Sequence, residues 1–223
     1  MMRLVHLDWN FNIEIENNYI NSIIIEDKSL FRKVLVELTE QVSGNEGKFV
    51  LSEDYSEISI GKYLDIVSDI LFVDPNDKKI KNKIILELIK EANNEVLSLN
   101  KVKTELNLFF NKFSNEGMFE LDRDEDIDLS SLMKLGKFYI DCDNKNIIDR
   151  LITYMLAMRE YGKINIFLVV NLSSFVTNEE KMMLFDSIVM NKINLICLES
   201  FIDEELDLYC EKRYIIDKDF CEI

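Results

Sequence analysis

Residues 164–198 read INIFLVVNLSSFVTNEEKMMLFDSIVMNKINLICL. Residues 164–170 and 193–198 are almost continuously apolar, which is typical of parallel strands that are buried on both faces. Between them, Thr177 and Glu180 have the spacing of a capping box at the start of a helix. A strand, a helix and a second strand at this spacing predict a βαβ unit.

The part of the chain before residue 71 predicts short strands and one helix. Apolar runs are bounded by turn residues, which is typical of strands. Asp27 or Ser29 is placed to cap a helix that ends near Val42. This part and the βαβ unit are expected to share one sheet.

The middle of the chain, residues 77–161, predicts helices. Its apolar residues recur at steps of three and four, with a weak break at Asn93 and Asn94. This period predicts one long helix, or two that are nearly continuous, followed by shorter helices. The fold class is therefore α/β, with a discontinuous α/β domain (residues 1–75 and 162–223) and an inserted α-helical domain (residues 76–161).

The composition excludes several classes of protein. Hydrophobic residues make up 48% and charged residues 30% of the 223 residues, which is typical of a folded domain with a core. With one histidine, and with four cysteines that form no CxxC pair, the chain has almost nothing with which to build a catalytic triad or a zinc site. No apolar run approaches the ~18 residues of a membrane span, and the N-terminus lacks a secretory signal. We therefore expect a cytoplasmic protein without a membrane partner.

The net charge is strongly acidic, with 26 Lys and Arg against 42 Asp and Glu, or −16. Such a balance opposes general affinity for DNA unless lysines gather on one surface. The candidate basic residues would ordinarily form solvated faces, and they serve DNA only if symmetry gathers several copies around one opening. They are Lys28, Arg32 and Lys33 on the first helix, and Lys134, Lys137, Lys145 and Arg150 later in the chain.

The most unusual stretch is an acidic run. Carboxylates stand at alternate positions, with Glu125 added: Glu120, Asp122, Asp124, Asp126 and Asp128. On one side of an extended backbone they repel each other, and a calcium ion relieves that repulsion because it accepts about six to eight oxygens. The run is not an EF-hand, since Ile127 replaces the required glycine and Met133 the closing glutamate. A solvated acidic loop and a two-metal nuclease site remain open as alternatives.

A glycine-containing loop, Gly44 to Lys48 (GNEGK), does not match a phosphate-binding loop. Two residues separate its glycines instead of four, and Phe49 follows where Ser or Thr is required. The loop also follows a helix and leads into a strand, which reverses the required order. Nucleotide hydrolysis is therefore not expected.

Five segments resemble the Csn-two family, the DNA-binding spacer-acquisition proteins of type II-A CRISPR systems. The resemblance covers essentially the whole chain, and no single segment is diagnostic, but all agree in order and spacing. The segments are residues 30–33 (LFRK), 49–54 (FVLSED), 170–172 (VNL), 191–195 (NKINL) and 214–223 (YIIDKDFCEI).

The resemblance implies a head related to P-loop ATPases but without a nucleotide site, and a helical leg. It implies a ring-shaped homotetramer whose basic inner surface encircles double-stranded DNA and prefers its ends. It also implies that calcium ions hold the legs, and the acidic run falls in the leg region where such ions bind. The implied partners are the CRISPR integrase proteins and the effector nuclease.

The sequence thus predicts a non-enzymatic, calcium-stabilised CRISPR adaptation protein that binds DNA ends without sequence preference. The acidic run would supply the metal ligands, and the candidate basic residues would contact DNA. One alternative is a metal-dependent nuclease that uses the same carboxylates. Another is an assembly scaffold that binds neither DNA nor metal.

Overall fold

The chain forms two compact units. The computed structural model describes residues 1–9, 11–113, 121–142, 145–202 and 209–216. Unit 1 is Met1–Pro75 together with Cys142–Ile223, and unit 2 is Asn76–Asp141. Unit 2 thus interrupts unit 1 in the sequence, as the change of apolar period indicates.

The helices and strands follow each other in a mixed α/β order. The strands are β1 (Met2–His6), β2 (Asn12–Ile15), β3 (Ile20–Ile24), β4 (Phe49–Glu53), β5 (Ser56–Ile58), β6 (Leu64–Val67), β7 (Ile166–Val170), β8 (Asn194–Glu199) and β9 (Glu211–Ile215). The helices are α1 (Lys28–Val42), α2 (Ile60–Tyr63), α3 (Lys78–Ala92), α4 (Val96–Asn111), α5 (Leu129–Leu135), α6 (Ile147–Gly162) and α7 (Asn178–Met190).

Unit 1 contains two sheets in its described residues. One has five parallel strands in the order β6-β7-β8-β3-β9, and the other has four antiparallel strands in the order β2-β1-β4-β5. The predicted βαβ unit is β7, α7 and β8, and both strands are buried at every residue. The capping box is present, since Thr177 Oγ1 accepts from the Glu180 N–H and Glu180 Oε2 accepts from the Thr177 N–H. Strand β3 from the first part of the chain lies between β8 and β9 from the last part. The expectation that these two parts share a sheet is therefore confirmed.

One hydrophobic cluster joins both sheets to α1. It includes Leu4 and Leu51 of the antiparallel sheet, Leu38 of α1, and Ile23 and Leu168 of the parallel sheet. All five side chains are fully buried, and each such burial stabilises the fold by about 1.5–3 kcal/mol relative to an exposed side chain. Because this cluster fixes α1, the basic residues of α1 are held on the surface of unit 1.

Helix α6 lies in unit 1, whereas its apolar period suggested the helical domain. Leu151 and Met155 are fully buried, the Tyr154 hydroxyl donates to Asp65 Oδ2 of β6 at 2.7 Å, and α6 packs against α7. A period of 3.6 shows that a helix has a buried face but does not show what buries it. The contacts therefore end the inserted unit at Asp141 rather than near residue 161.

Unit 2 consists of α3, α4 and α5 in its described residues. The helices α3 and α4 are separate, and the break falls at the predicted asparagine pair. Helix α3 buries Ile80 and Ile84 and packs against α5. No helix in the described part of the chain is long and apolar enough to cross a membrane.

Helix α4 carries an exposed apolar stripe. The stripe consists of residues three or four apart, Leu99, Val102, Leu106 and Phe109 on α4 and Phe113 two residues after its end. Leu99 and Leu106 are half-buried, and the other three are exposed. No residue of α4 is buried, and Phe109 and Phe113 remain 53% and 52% exposed although their rings contact each other. The segment therefore has the predicted apolar period, but the described residues cover this face only in part.

A group of charged side chains is buried in unit 1 between β9 and α7. Glu211 and Lys181 are 2% and 3% exposed, and Glu211 Oε1 lies 3.9 Å from Lys181 Nζ. Glu211 also accepts from the Ser22 hydroxyl of β3 and from the Arg213 guanidinium at 2.9 Å. Nearby, burial raises the pKa of Glu199. Buried charges are stable only when partners hold them, so the Glu211 carboxylate fixes β9 to β3 and α7.

Replacement of Glu211 by leucine is expected to destabilise the protein by about 3–5 kcal/mol, because it removes the buried carboxylate that accepts from Ser22 and Arg213 and lies near Lys181. Urea unfolding measures the change in the free energy of unfolding. The control is Lys212→Ala, which removes the more exposed ion pair with Glu16 and should cost about 1 kcal/mol or less. Equal costs for the two variants would show that the buried group does not hold β9.

His6 is a second buried polar residue, at the end of β1. Its ring stacks on Trp9 with 3.5 Å between centroids. Nδ1 accepts from the Asp8 N–H at 3.2 Å, so the ring proton is on Nε2, which donates to Glu37 Oε1 at 3.3 Å. Burial lowers the pKa of His6, and the attraction of Glu37 opposes this shift without reversing it.

The lowered pKa of His6 predicts a loss of stability in acid. The unfolded chain binds this proton near pH 6.5, whereas the folded chain resists it, so the contribution is complete above about pH 6.5 and is lost as the pH falls below that value. Urea unfolding at about pH 7.5 and about pH 5.5 should show a larger loss for the wild type than for His6→Phe, which cannot titrate. An equal loss in both proteins would contradict this assignment.

Candidate nucleic-acid interface and metal site

The first predicted basic group lies on α1 in unit 1. Lys28, Arg32 and Lys33 occupy exposed positions. The Lys33 ammonium lies 5.0 Å from the ring centroid of Trp9, which is a cation–π distance. Lys28 and Arg32 face solvent on the same helix.

The same helix begins where a phosphate-binding loop would have to lie. Strand β3 leads through residues 25–27 (IED) into α1, and Asp27 Oδ1 accepts from the Leu30 N–H at 2.8 Å. The carboxylate thus occupies the helix N-terminus, where it repels a phosphate. The Gly44 to Lys48 loop lies between α1 and β4, in the reversed order that the sequence indicates. Neither loop has the geometry and charge of a nucleotide site.

Lys145 and Arg150, near the start of α6, are engaged within unit 1. Lys145 Nζ donates to Thr153 Oγ1 at 2.6 Å. Arg150 Nη2 donates to the Leu71 carbonyl at 2.7 Å. The Arg150 bond ties α6 to the segment around Leu71, and both bonds reduce the capacity of the two side chains to bind an external phosphate.

Lys134 and Lys137 lie in unit 2, at and just after the end of α5. Both are exposed. The Asn76 side chain donates to the Ile140 carbonyl and accepts from the Ile140 N–H, each at 2.7 Å. This pair of bonds holds the segment after α5 beside the start of α3. The predicted basic residues are thus divided between the two units.

A third basic group, on α3, was missed by the sequence analysis. Residues 78–83 read KKIKNK, and all four lysines are exposed. Its signal was present in the sequence as four lysines within six residues. The apolar period of the segment identifies Ile80 and Ile84 as its buried residues but does not indicate a role for the lysines between them.

The acidic run lies in unit 2, and its carboxylates mostly bind the local backbone. Asp122 Oδ1 accepts from the Arg123 N–H and Asp124 Oδ1 from the Asp126 N–H, both at 2.9 Å. Asp128 is the N-cap of α5, and its hydrogen bonds from Ser131 lower its pKa.

Two basic side chains tie the acidic run to α4. Arg123 donates to the side-chain oxygens of Asn107 and Asn111 at 2.8 and 2.9 Å. Lys103 Nζ lies 3.3 Å from Asp126 Oδ1. These bonds fix the run along α4 in unit 2, next to the apolar stripe.

The described carboxylates do not converge as calcium ligands. In the described ranges, no three His, Cys, Asp or Glu side chains come together in a way that could hold a metal ion. Glu120, the remaining predicted ligand, lies outside the described residues. A preformed calcium site is therefore not built from Asp122, Asp124, Asp126 and Asp128 alone, and calcium binding stays a prediction.

The family model of a CRISPR-associated protein, Cas_Csn2, matches residues 41–220. The chain belongs to the Csn-two family. The match covers well over half of the sequence, so the family that the five segments predicted is confirmed, and the protein is CRISPR-associated.

Some solved structures are similar to this Csn-two protein. Stu0660 of Streptococcus thermophilus is 14% identical, with 97% of this chain and 74% of that chain covered and a TM-score of 0.51. cbiO1 from Clostridium perfringens, part of an ABC transporter complex, is 10% identical, with 100% of this chain and 86% of that chain covered and a TM-score of 0.49. A putative ABC transporter ATP-binding protein from Pyrococcus furiosus is 12% identical, with coverage of 95% and 96% and a TM-score of 0.42. No match is found among the curated proteins.

The predicted fold class is confirmed as well. The chain has an α/β head with a parallel sheet, and helices inserted in its sequence. At 14% identity the likeness to Stu0660 shows the fold alone, so metal and DNA contacts of this Csn-two protein have to be tested on its own residues.

Calcium binding by the acidic run predicts a heat of binding that depends on its carboxylates. In titration calorimetry of the full chain, Asp122→Asn with Asp124→Asn should abolish the calcium signal, because two of the alternating charges are lost. The control, Glu46→Gln with Glu57→Gln, removes two exposed carboxylates of unit 1 and should retain it. A signal that survives in the aspartate variant would place the site elsewhere, and no signal in the wild type would make the prediction wrong.

Proposed function

We propose that this Csn-two protein is a non-enzymatic protein of CRISPR adaptation. In this proposal it assembles in the cytoplasm into a ring-shaped homotetramer, stabilised by calcium. The ring binds the ends of double-stranded DNA, without sequence preference, during spacer acquisition. Its protein partners would be the integrase proteins and the effector nuclease.

The exposed stripe of α4 is the observation that carries the proposal. A helix with an amphipathic face is stable when that face packs on a partner, and short helices gain little stability on their own. Large exposed apolar patches are typical of protein interaction sites. A second copy of the chain presents the same stripe, and two such stripes pack against each other around a two-fold axis. Self-association therefore covers the surface that one chain leaves open.

Assembly also explains how an acidic chain approaches DNA. Each chain carries −16, so the average field repels phosphate. Exposed charges more than about 8–10 Å apart are largely screened at physiological salt, so the local lysines decide the contact. Several copies around one opening bring several lysine groups to one duplex, and their combined affinity exceeds that of one group.

The arrangement of polar groups supports a binding protein rather than an enzyme. The single histidine is buried and hydrogen-bonded through both ring nitrogens. A nuclease that uses the acidic run would need carboxylates that converge on two metal ions about 3.5–4 Å apart. In the described part of the run, Asp122, Asp124 and Asp128 instead accept from the local backbone, and Asp126 pairs with Lys103. A linear duplex incubated with magnesium or manganese is therefore expected to stay intact.

DNA binding is expected to be independent of sequence and strongly dependent on salt, because lysine–phosphate contacts release counterions. Light scattering and fluorescence anisotropy with a short blunt duplex measure assembly and affinity in the same samples. Lys134→Glu with Lys137→Glu should weaken binding by about tenfold or more without changing the oligomer, since both lysines lie outside the α4 stripe. A wild-type affinity that does not change with salt would contradict the proposal.

A further inference from the structure

The first half of α3 concentrates positive charge on one exposed face. Helix α3 has five lysines and two glutamates, and four of the lysines fall in its first six residues. On a helix, these four spread over the side opposite the buried Ile80 and Ile84. All four are exposed, so their ammonium groups face solvent.

This arrangement is unfavourable for the helix itself. The N-terminus of a helix carries partial positive charge, so cations in the first turns are destabilising. Lys78 and Lys81, and Lys79 and Lys83, also have the spacings at which like charges repel on a helix surface. The Asp77 carboxylate caps α3 and offsets part of this charge, but the first turn itself has no acidic residue. In the described part of the chain none of the four lysines forms an ion pair. Lys90, in the same helix, pairs with Glu87.

The end of α5 adds two lysines to a part of unit 2 that contacts α3. Helix α5 packs against α3, and the two Asn76–Ile140 hydrogen bonds join the segment after α5 to the start of α3. Lys137 is three residues from Ile140, and Lys78 is two residues from Asn76, so the two lysines lie on the segments that these hydrogen bonds join. We name these side chains the basic corner: Lys78, Lys79, Lys81, Lys83, Lys134 and Lys137.

The acidic run does not neutralise the basic corner. It meets α5 at Asp128, the N-cap, whereas Lys134 and Lys137 follow at the other end of the helix. Seven helical residues separate the two ends by about 10 Å. This distance is about one Debye length at physiological salt. The positive charges of Lys103, which pairs with Asp126, and of Arg123, which lies in the run, also offset part of the negative charge of the acidic run.

We propose that the basic corner binds the phosphate backbone of duplex DNA. The inference rests on the proposed function and names its contact surface, which lies mainly on α3 rather than on α1. Lysine is a point charge that binds phosphate without reading the bases, which matches binding without sequence preference. Clusters of like charge that destabilise a local element are expected mainly at functional sites, where a ligand of opposite charge stabilises them.

The test compares two full-length variants that lose the same charge. The α3 variant is Lys78→Gln, Lys79→Gln, Lys81→Gln and Lys83→Gln. The matched control, in unit 1, is Lys48→Gln, Lys62→Gln, Lys163→Gln and Lys192→Gln. Fluorescence anisotropy with a blunt duplex gives the slope of log K against log salt, and light scattering checks the oligomer.

The α3 variant should lower the magnitude of the slope by about 2–4, since each lost phosphate contact contributes about 0.9. Its thermal midpoint should be equal to or higher than that of the wild type, because repulsion in α3 is removed. The control should keep most of the slope. An unchanged slope in the α3 variant, or equal losses in both variants, would overturn the inference while leaving DNA binding in place. Absence of DNA binding in the wild type would instead overturn the proposed function.

A second measurement uses the wild type alone, so it does not depend on how the variants fold. Lysines are acetylated with and without the duplex, and mass spectrometry measures the protection of each one. Lys78, Lys79, Lys81 and Lys83 should be protected by DNA, whereas Lys62 and Lys192 should react equally in both samples. Equal reactivity of the α3 lysines in both samples would contradict the inference.

Discussion

The apolar stripe of α4 is the constraint on which the account of this protein depends. Unit 1 buries its apolar residues within its own sheets and helices, so it has a core that one chain completes. In unit 2, α3 buries two side chains and α4 buries none. Helices of 15 or 16 residues are marginal in water without tertiary packing. The stability of unit 2 is therefore tied to whatever covers the stripe, and in our proposal that is another copy of the chain.

The distribution of charge follows the same division. An acidic chain keeps copies soluble and apart, which opposes both assembly and DNA binding. Assembly is favoured where the surface is apolar, along α4, and DNA binding where lysines are dense, on α3 and at the end of α5. Both surfaces lie in unit 2. Replacing a lysine of α3 is therefore expected to change the affinity for DNA directly. Replacing an apolar residue of the α4 stripe is expected to weaken assembly, and to weaken DNA binding only as a consequence.

The sequence predicted the elements whose packing is local in the chain. Continuous apolar runs identified β7 and β8, the Thr177–Glu180 spacing identified the start of α7, and the asparagine pair identified the break between α3 and α4. The pairing of β1 with β4, which joins two hairpins into the antiparallel sheet, and the pairing of β6 with β7 were not predicted, because in each case the partners are far apart in sequence. The buried contact between Ser22 and Glu211 joins residues 189 positions apart, and no local pattern indicates it.

The candidate site shows the same limit. Periodicity identified the α4 stripe but implied burial, because a period does not show whether a partner is present. The acidic run was visible, yet its hydrogen bonds to the local backbone depend on turn geometry. The lysines of α3 were visible too, and only the structure shows that the Asn76–Ile140 bonds join the segment after Lys137 to the start of α3.

Hydrogen exchange of the α4 amides tests the central claim most directly, because it measures how often this helix opens. If self-association covers the stripe, exchange protection across Val96–Asn111 should rise with protein concentration, while protection of β7 and β8 in unit 1 should not change. The measurement uses the unmodified full chain at several concentrations. Strong protection of α4 that is the same at every concentration would show that a single chain already stabilises this helix, and would contradict the account.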